Sequence, residues 1–195
     1  VMYELKHSPL RLPHGRLRVT GKTAHRTHDG EAFAATVQLD KEIVGTIENE
    51  GTGGETRFIP GPPASAISER IALWNQLVAG AEFARASVTR LRATDSGKVP
   101  AEYVADALVT EYETSTWLAA IGATGQGGVR SFDPSLGLST TYIPYGAPAG
   151  YKAAHDRALV EQLKTQELEE GDIWQVWTGE AWKDLTEAPA TDEGA

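Results

Sequence analysis

The sequence predicts an α+β fold. Three observations predict it: an alternating apolar segment that folds back on itself between residues 31 and 59, helical periodicity between residues 65 and 122, and a tryptophan-rich hairpin beginning at Ile173. The arrangement expected is an N-terminal antiparallel β-meander packed against two or three helices, with the hairpin at the C-terminal end.

In the meander, Phe33, Ala35, Val37 and Leu39 share one face, Asp40-Lys41 turns the chain, and Ile43, Gly45 and Ile47 follow at strand spacing. Asn49-Glu50-Gly51-Thr52-Gly53-Gly54 then makes a bend whose glycines supply positive φ or let a ligand approach the backbone, before Thr56 to Ile59 resume an extended pattern. Pro60 to Pro63 break the strand. Ser65 is placed to cap a helix with Ile67, Ile71, Trp74, Val78 and Ala81 facing the core; the pattern pauses at Gly80 and resumes through Phe83, Val88 and Leu91 to Asp95-Ser96-Gly97. Pro100 and Glu102 suit the first turn of a second helix, Val104, Leu108 and Tyr112 give its apolar face, and Gly122 its stop.

Residues 122 to 150, rich in glycine and proline, read as a long loop for binding or for packing on a partner. A third helix is expected over Tyr151 to Leu168 with Ala158, Leu159 and Leu163 inward. Ile173 to Trp177, a turn at Thr178-Gly179-Glu180, and Ala181 to Leu185 form the hairpin. Composition divides the chain into segments 1–60, 61–150, 151–185 and an acidic, disordered tail 186–195, within one compact domain.

With 195 residues and no cysteine, the chain needs and has no disulfide, and thiolate metal sites are excluded. The first fourteen residues lack the apolar core of a signal peptide, and the longest apolar run, Trp117 to Ala123, is too short to span a bilayer. A cytoplasmic protein without membrane contact is expected. The net charge of −9 is uneven: residues 1 to 30 carry six Lys and Arg against Glu4 and Asp29, whereas from residue 161 onward ten carboxylates face Lys164 and Lys183.

The candidates for chemistry are few. His7, His14, His25 and His28 lack partners for a full ligand set, so neither metal nor cofactor is expected. Glu102, Asp106 and Glu113 lie on one helical face, as carboxylates that do acid–base work must, or simply as a solvated face. Gly122 to Gly128 follows a helix and lacks the Gly-Lys-Ser/Thr ending, which argues against a phosphate loop. The Asn49, Gly51, Gly53 and Gly54 bend, with Arg57 beside it, is a candidate anion or small-ligand site. Arg16, Arg18, Lys22 and Arg26 form a basic patch with the footprint nucleic acid requires, although a pI near 5.0 and the lack of a stacking platform weigh against that partner. Trp174, Trp177 and Trp182 are the candidate protein-binding surface, because a lone hairpin cannot hide both of its faces.

The stretch Leu39 to Gly54, with its Val44-Gly45 and its Asn49-Glu50-Gly51-Thr52-Gly53-Gly54 bend, resembles a group of uncharacterised actinobacterial and phage proteins, while departing from their Asp-Gly-Lys turn with Asp40-Lys41-Glu42. Gly171 to Trp174 with Gly179, Trp182 and Leu185 is similar to tryptophan hairpins of phage tail and fibre proteins. These resemblances imply a phage or mobile-element origin. The expected function is then a non-enzymatic protein that binds a protein partner, such as a host or defence factor. The alternatives are a virion or assembly component that self-associates, and a small-ligand or nucleotide sensor or enzyme.

Overall fold

In the computed structural model, which describes residues 2–84 and 98–185, the fold is α+β, with three α-helices and three antiparallel sheets among the described residues. The chain divides into two compact units, the first holding the described residues through Ser115 and the second those from Thr116 onward.

In the first unit, the meander is one strand longer at its start than the sequence suggested. β3 (Leu17–Arg26), β4 (Glu31–Leu39), β5 (Glu42–Asn49) and β6 (Arg57–Pro60) pair in sequential order. A small sheet of β1 (Tyr3–Glu4), β2 (Leu10–Leu12) and β7 (Glu82–Phe83) lies in the same unit. The turn at Asp40-Lys41 forms as expected. Asp40 takes φ 55°, tolerable for an aspartate, and its carboxylate receives the Arg16 guanidinium at 2.8 to 3.3 Å. That pair pushes the Asp40 pKa down and the Arg16 pKa up.

Two bulges redirect side chains. Val37 opposes Gly45 but Gln38 opposes Ile43, so Val44 is the extra residue. Val44 is thereby turned into the core, and Ile43 is 57% exposed. In β3, Val19 opposes Val37 and Gly21 opposes Thr36, which leaves Thr20 as the extra residue and switches the alternation. Beyond it Lys22 lies opposite the buried Ala35, on the core-side face.

The helices α1 (Ile67–Ala79) and α2 (Ala101–Gly122) supply Trp74, Leu77, Val104, Ala105 and Leu108 to a core with Ala35, Val37 and Ile47. Phe58 of β6 stacks on Trp74 at 4.9 Å. The expected stripe of α1 is corrected: Ile67 and Ile71 are exposed, and Arg70, Trp74 and Leu77 are buried. Arg70 faces inward because its guanidinium donates to the Gly61 carbonyl at 2.7 Å, to the Pro62 carbonyl and to Glu42 at 2.8 Å, closing the exit of β6. Ser65 is no cap; it lies in a 3-10 turn at Ala64–Ala66. Val88, Leu91 and Asp95-Ser96-Gly97 lie outside the described residues, as does the 186–195 tail.

The second unit corrects the long-loop expectation. Residues 122–150 contain β8 (Gln126–Phe132) and β9 (Tyr142–Gly146), in a sheet ordered β11-β10-β8-β9. Glycines enter this strand because aromatic rings press on its backbone: a Cβ on Gly127 would lie 2.6 Å from the Tyr145 ring, and one on Gly128 2.6 Å from the Trp117 ring. The hairpin β10 (Ile173–Trp177) and β11 (Trp182–Asp184) adds to β8 instead of projecting. The third helix, α3 (Asp156–Leu163), is shorter than expected; Leu159 and Leu163 are buried with Trp174 and Val176, and Ala158 is exposed. The boundary between the two units falls within α2.

Candidate functional site

The bend after β5 is built by one side chain. Asn49 Oδ1 accepts from the Gly51 N–H at 2.8 Å, and its Nδ2 donates to the Gly54 carbonyl and to Thr56 Oγ1, each at 3.1 Å. Gly51 (φ 67°) and Gly53 (φ 79°) make the left-handed steps. The Thr27 hydroxyl donates to the Gly51 carbonyl at 2.5 Å, tying the bend to the β3–β4 turn. Thr56 is buried and in turn donates to the Asp106 carboxylate on α2.

These elements enclose an open cleft of about 390 Å³, lined by Asp29, Gly30, Glu31 and Phe33 from the β3–β4 turn and β4, by Asn49, Gly51, Gly53, Gly54 and Thr56 from the bend, and by Glu102 and Asp106 from the first turns of α2. The size is that of a small-ligand or side-chain pocket. Two separate sequence candidates, the glycine bend and the α2 carboxylates, therefore meet at one place. The lining holds four carboxylates and no Lys, Arg or His. Burial, with a further push from Glu102, holds the Asp106 pKa above the ordinary aspartate value despite the Thr56 hydrogen bond.

That electrostatic character reverses one expectation. Arg57 does not line the cleft; it is exposed and pairs with Glu50, so the bend has no cation with which to hold an anion. Glu113 also leaves the group. It receives Lys22 Nζ at 2.5 Å, while Glu31 receives it at 2.7 Å and the Phe33 ring lies 4.5 Å beneath it. Burial lowers the Lys22 pKa, but the two glutamates outweigh it and the net shift is upward.

The basic patch is not one surface. The bulge at Thr20 leaves exposed Arg18 on the opposite face from Lys22, Arg16 is committed to Asp40, and Lys22 to the two glutamates. A phosphate backbone has no continuous row of cations to track. His25 and His28 are exposed, His7 is buried with Nε2 3.0 Å from Ser115 Oγ, and no group of His, Asp and Glu that could hold a metal ion occurs among the described residues.

The tryptophans lie largely within the second unit. Trp174 and Trp182 are buried and Trp177 is half-buried, resting on Trp182 at 5.3 Å. Trp182 covers the buried Arg130 guanidinium at 4.2 Å, with Phe132 at 4.8 Å; Arg130 Nε donates to Gln175 Oε1 at 2.9 Å, and Gln175 Nε2 donates to Asp184 at 2.7 Å. These side chains close the second unit and present no tryptophan-rich outer face. Sequence reasoning missed Arg130 and Gln175, which sit at alternating strand positions among apolar residues, and missed the meeting of Asp29 and Glu31 with α2, which is purely tertiary.

No helix among the described residues is long and apolar enough to cross a membrane. Comparison with protein-family models, with curated proteins and with solved structures finds no match for this chain.

Proposed function

We propose that this chain is a non-enzymatic binding protein that recognises a basic segment of a protein partner through the acidic cleft of its first unit. The observation that carries the reading is the lining of the cleft: Asp29, Glu102 and Asp106 converge there with no Lys, Arg or His in the lining, while the fourth carboxylate, Glu31, is already held by Lys22 at 2.7 Å. A lysine or arginine side chain entering the cleft gains charge-assisted hydrogen bonds and relieves the repulsion from Glu102 that adds to burial in raising the Asp106 pKa. The exposed Gly53 and Gly54 leave the rim without side chains, so an incoming backbone can approach closely. The resemblances of residues 39–54 and 171–185 support a phage or mobile-element origin and, with it, a host or defence factor in the host cytoplasm as the partner.

A second reading is a sensor for a small organic amine, which the cleft volume favours. Fluorescence anisotropy with a labelled peptide of alternating lysine and serine, beside a free diamine competitor, separates the two. The proposal expects peptide binding that weakens with salt and falls by about tenfold or more in the Glu102→Gln, Asp106→Asn double variant. Equal affinity of that folded variant would refute it, and tight capture of the diamine with no peptide affinity would favour the sensor.

A further inference from the structure

We infer that the open edge of β3 is a second binding surface, one that accepts an extended acidic segment of another protein by strand addition. β3 pairs with β4 along one side, and no strand occupies its other side among the described residues. From Gly21 to Arg26 the pairing with β4 is regular, bounded by the Thr20 bulge at one end and the Thr27 turn at the other. This gives an edge about 20 Å long, enough for the four to six residues that a strand-addition complex uses.

The edge is accessible. Thr23, Ala24, His25 and Arg26 are exposed in succession, so both faces of the strand meet solvent, and a Cβ built on Gly21 meets nothing within 4 Å. Backbone groups on this side supply affinity without regard to sequence, and the side chains supply the selection. β3 carries Arg18, Lys22 and Arg26 and not one carboxylate. Arg18 and Arg26 are exposed and form no salt bridge among the described residues.

The alternation fixes which incoming residues matter. Lys22, Ala24 and Arg26 share a face, and Lys22 is held by Glu31 and Glu113, so a carboxylate on the added strand gains most beside Arg26, with a small residue beside Ala24. A second copy of this chain is the wrong occupant. It would bring another Arg18 and Arg26 against the first pair. Glu31 and Phe33 of the acidic cleft lie opposite Arg26 and Ala24 across β3 and β4, so the two surfaces are neighbours with opposite charge preferences, and the residues whose amide exchange slows tell them apart.

The test uses the full chain and a fluorescein-labelled peptide, Thr-Glu-Thr-Ser-Thr-Glu-Thr, together with two versions N-methylated at alternate residues in the two possible phases. Strand addition expects saturable binding of the parent peptide and loss of about tenfold or more in one N-methylated phase only. It also expects slowed amide exchange confined to residues 21–26, and about threefold weaker binding to Arg26→Gln. Equal binding of both N-methylated phases, protection centred on residues 49–56 instead, or concentration-dependent dimerisation that protects residues 21–26 without peptide would each overturn the inference.

Discussion

The Thr56 hydroxyl donates to the Asp106 carboxylate while accepting from the Asn49 amide at 3.1 Å, so a single buried threonine links the glycine bend to the start of α2. The relay fixes the spacing between the two walls of the cleft. It also orients a carboxylate that burial and Glu102 make costly to ionise.

Asp106 should therefore trade stability for binding. Because its folded-state pKa is raised, the folded chain retains a proton that the unfolded chain has released, and stability falls as pH rises from the ordinary aspartate value through the raised one. Asp106→Asn keeps an acceptor for Thr56 and loses the charge. Its melting temperature should exceed wild type at pH 7, with the gap closing below about pH 4, while affinity for a basic peptide drops. Thermal melts across pH check the first part; a variant less stable than wild type at pH 7 would contradict it.

The three glycines of the bend should not be equivalent. A Cβ on Gly51 would lie 2.5 Å from the Ala32 nitrogen at φ 67°, so Gly51→Ala should cost about 3 kcal/mol or more. Gly53 has positive φ but open space, and Gly53→Ala should cost about 1 to 2 kcal/mol. Gly54 has neither constraint, and Gly54→Ala should fall within about 0.5 kcal/mol of wild type. Urea denaturation ranks them.

Much of the fold was legible because binary patterning and turn chemistry act locally. The Asp40-Lys41 turn, the strands around it, the Val104 and Leu108 face of α2 and the tryptophan hairpin all follow from residues within a few positions of one another. What failed was decided at a distance. The bulges at Thr20 and Val44 shift the alternation by one residue, which splits the basic patch and exposes Ile43, and Gly127 and Gly128 are strand residues only because Tyr145 and Trp117 occupy the space a side chain would need. In the candidate site, the bend and the α2 carboxylates were each visible in the sequence. Their meeting was not, since it depends on Thr56 reaching α2.

Trp174 should behave as core. Its burial with Val176, Leu159 and Leu163 predicts that Trp174→Ala costs about 3 to 5 kcal/mol, while half-buried Trp177→Ala costs less. Light scattering at matched folded concentration should show no change in molecular mass for either variant. A mass shift in a folded variant would restore the hairpin as an interface.

Arg70 should be more sensitive than a helix-surface arginine. Arg70→Ala leaves the Gly61 and Pro62 carbonyls without their donor and should cost about 2 to 3 kcal/mol, with Arg70→Lys recovering only part, because one ammonium cannot reproduce the fork. Chemical denaturation of both variants measures it.

Whether the acidic cleft of the first unit holds a cationic group is read from the Asp106 carboxyl carbon, followed by NMR through a pH titration with and without a saturating lysine–serine peptide. The free protein should show an Asp106 pKa above the ordinary aspartate value and the complex a lower one, with amide shifts at Gly51, Gly53, Gly54 and Thr56. An Asp106 pKa unmoved at saturation, with those amides undisturbed, would contradict it.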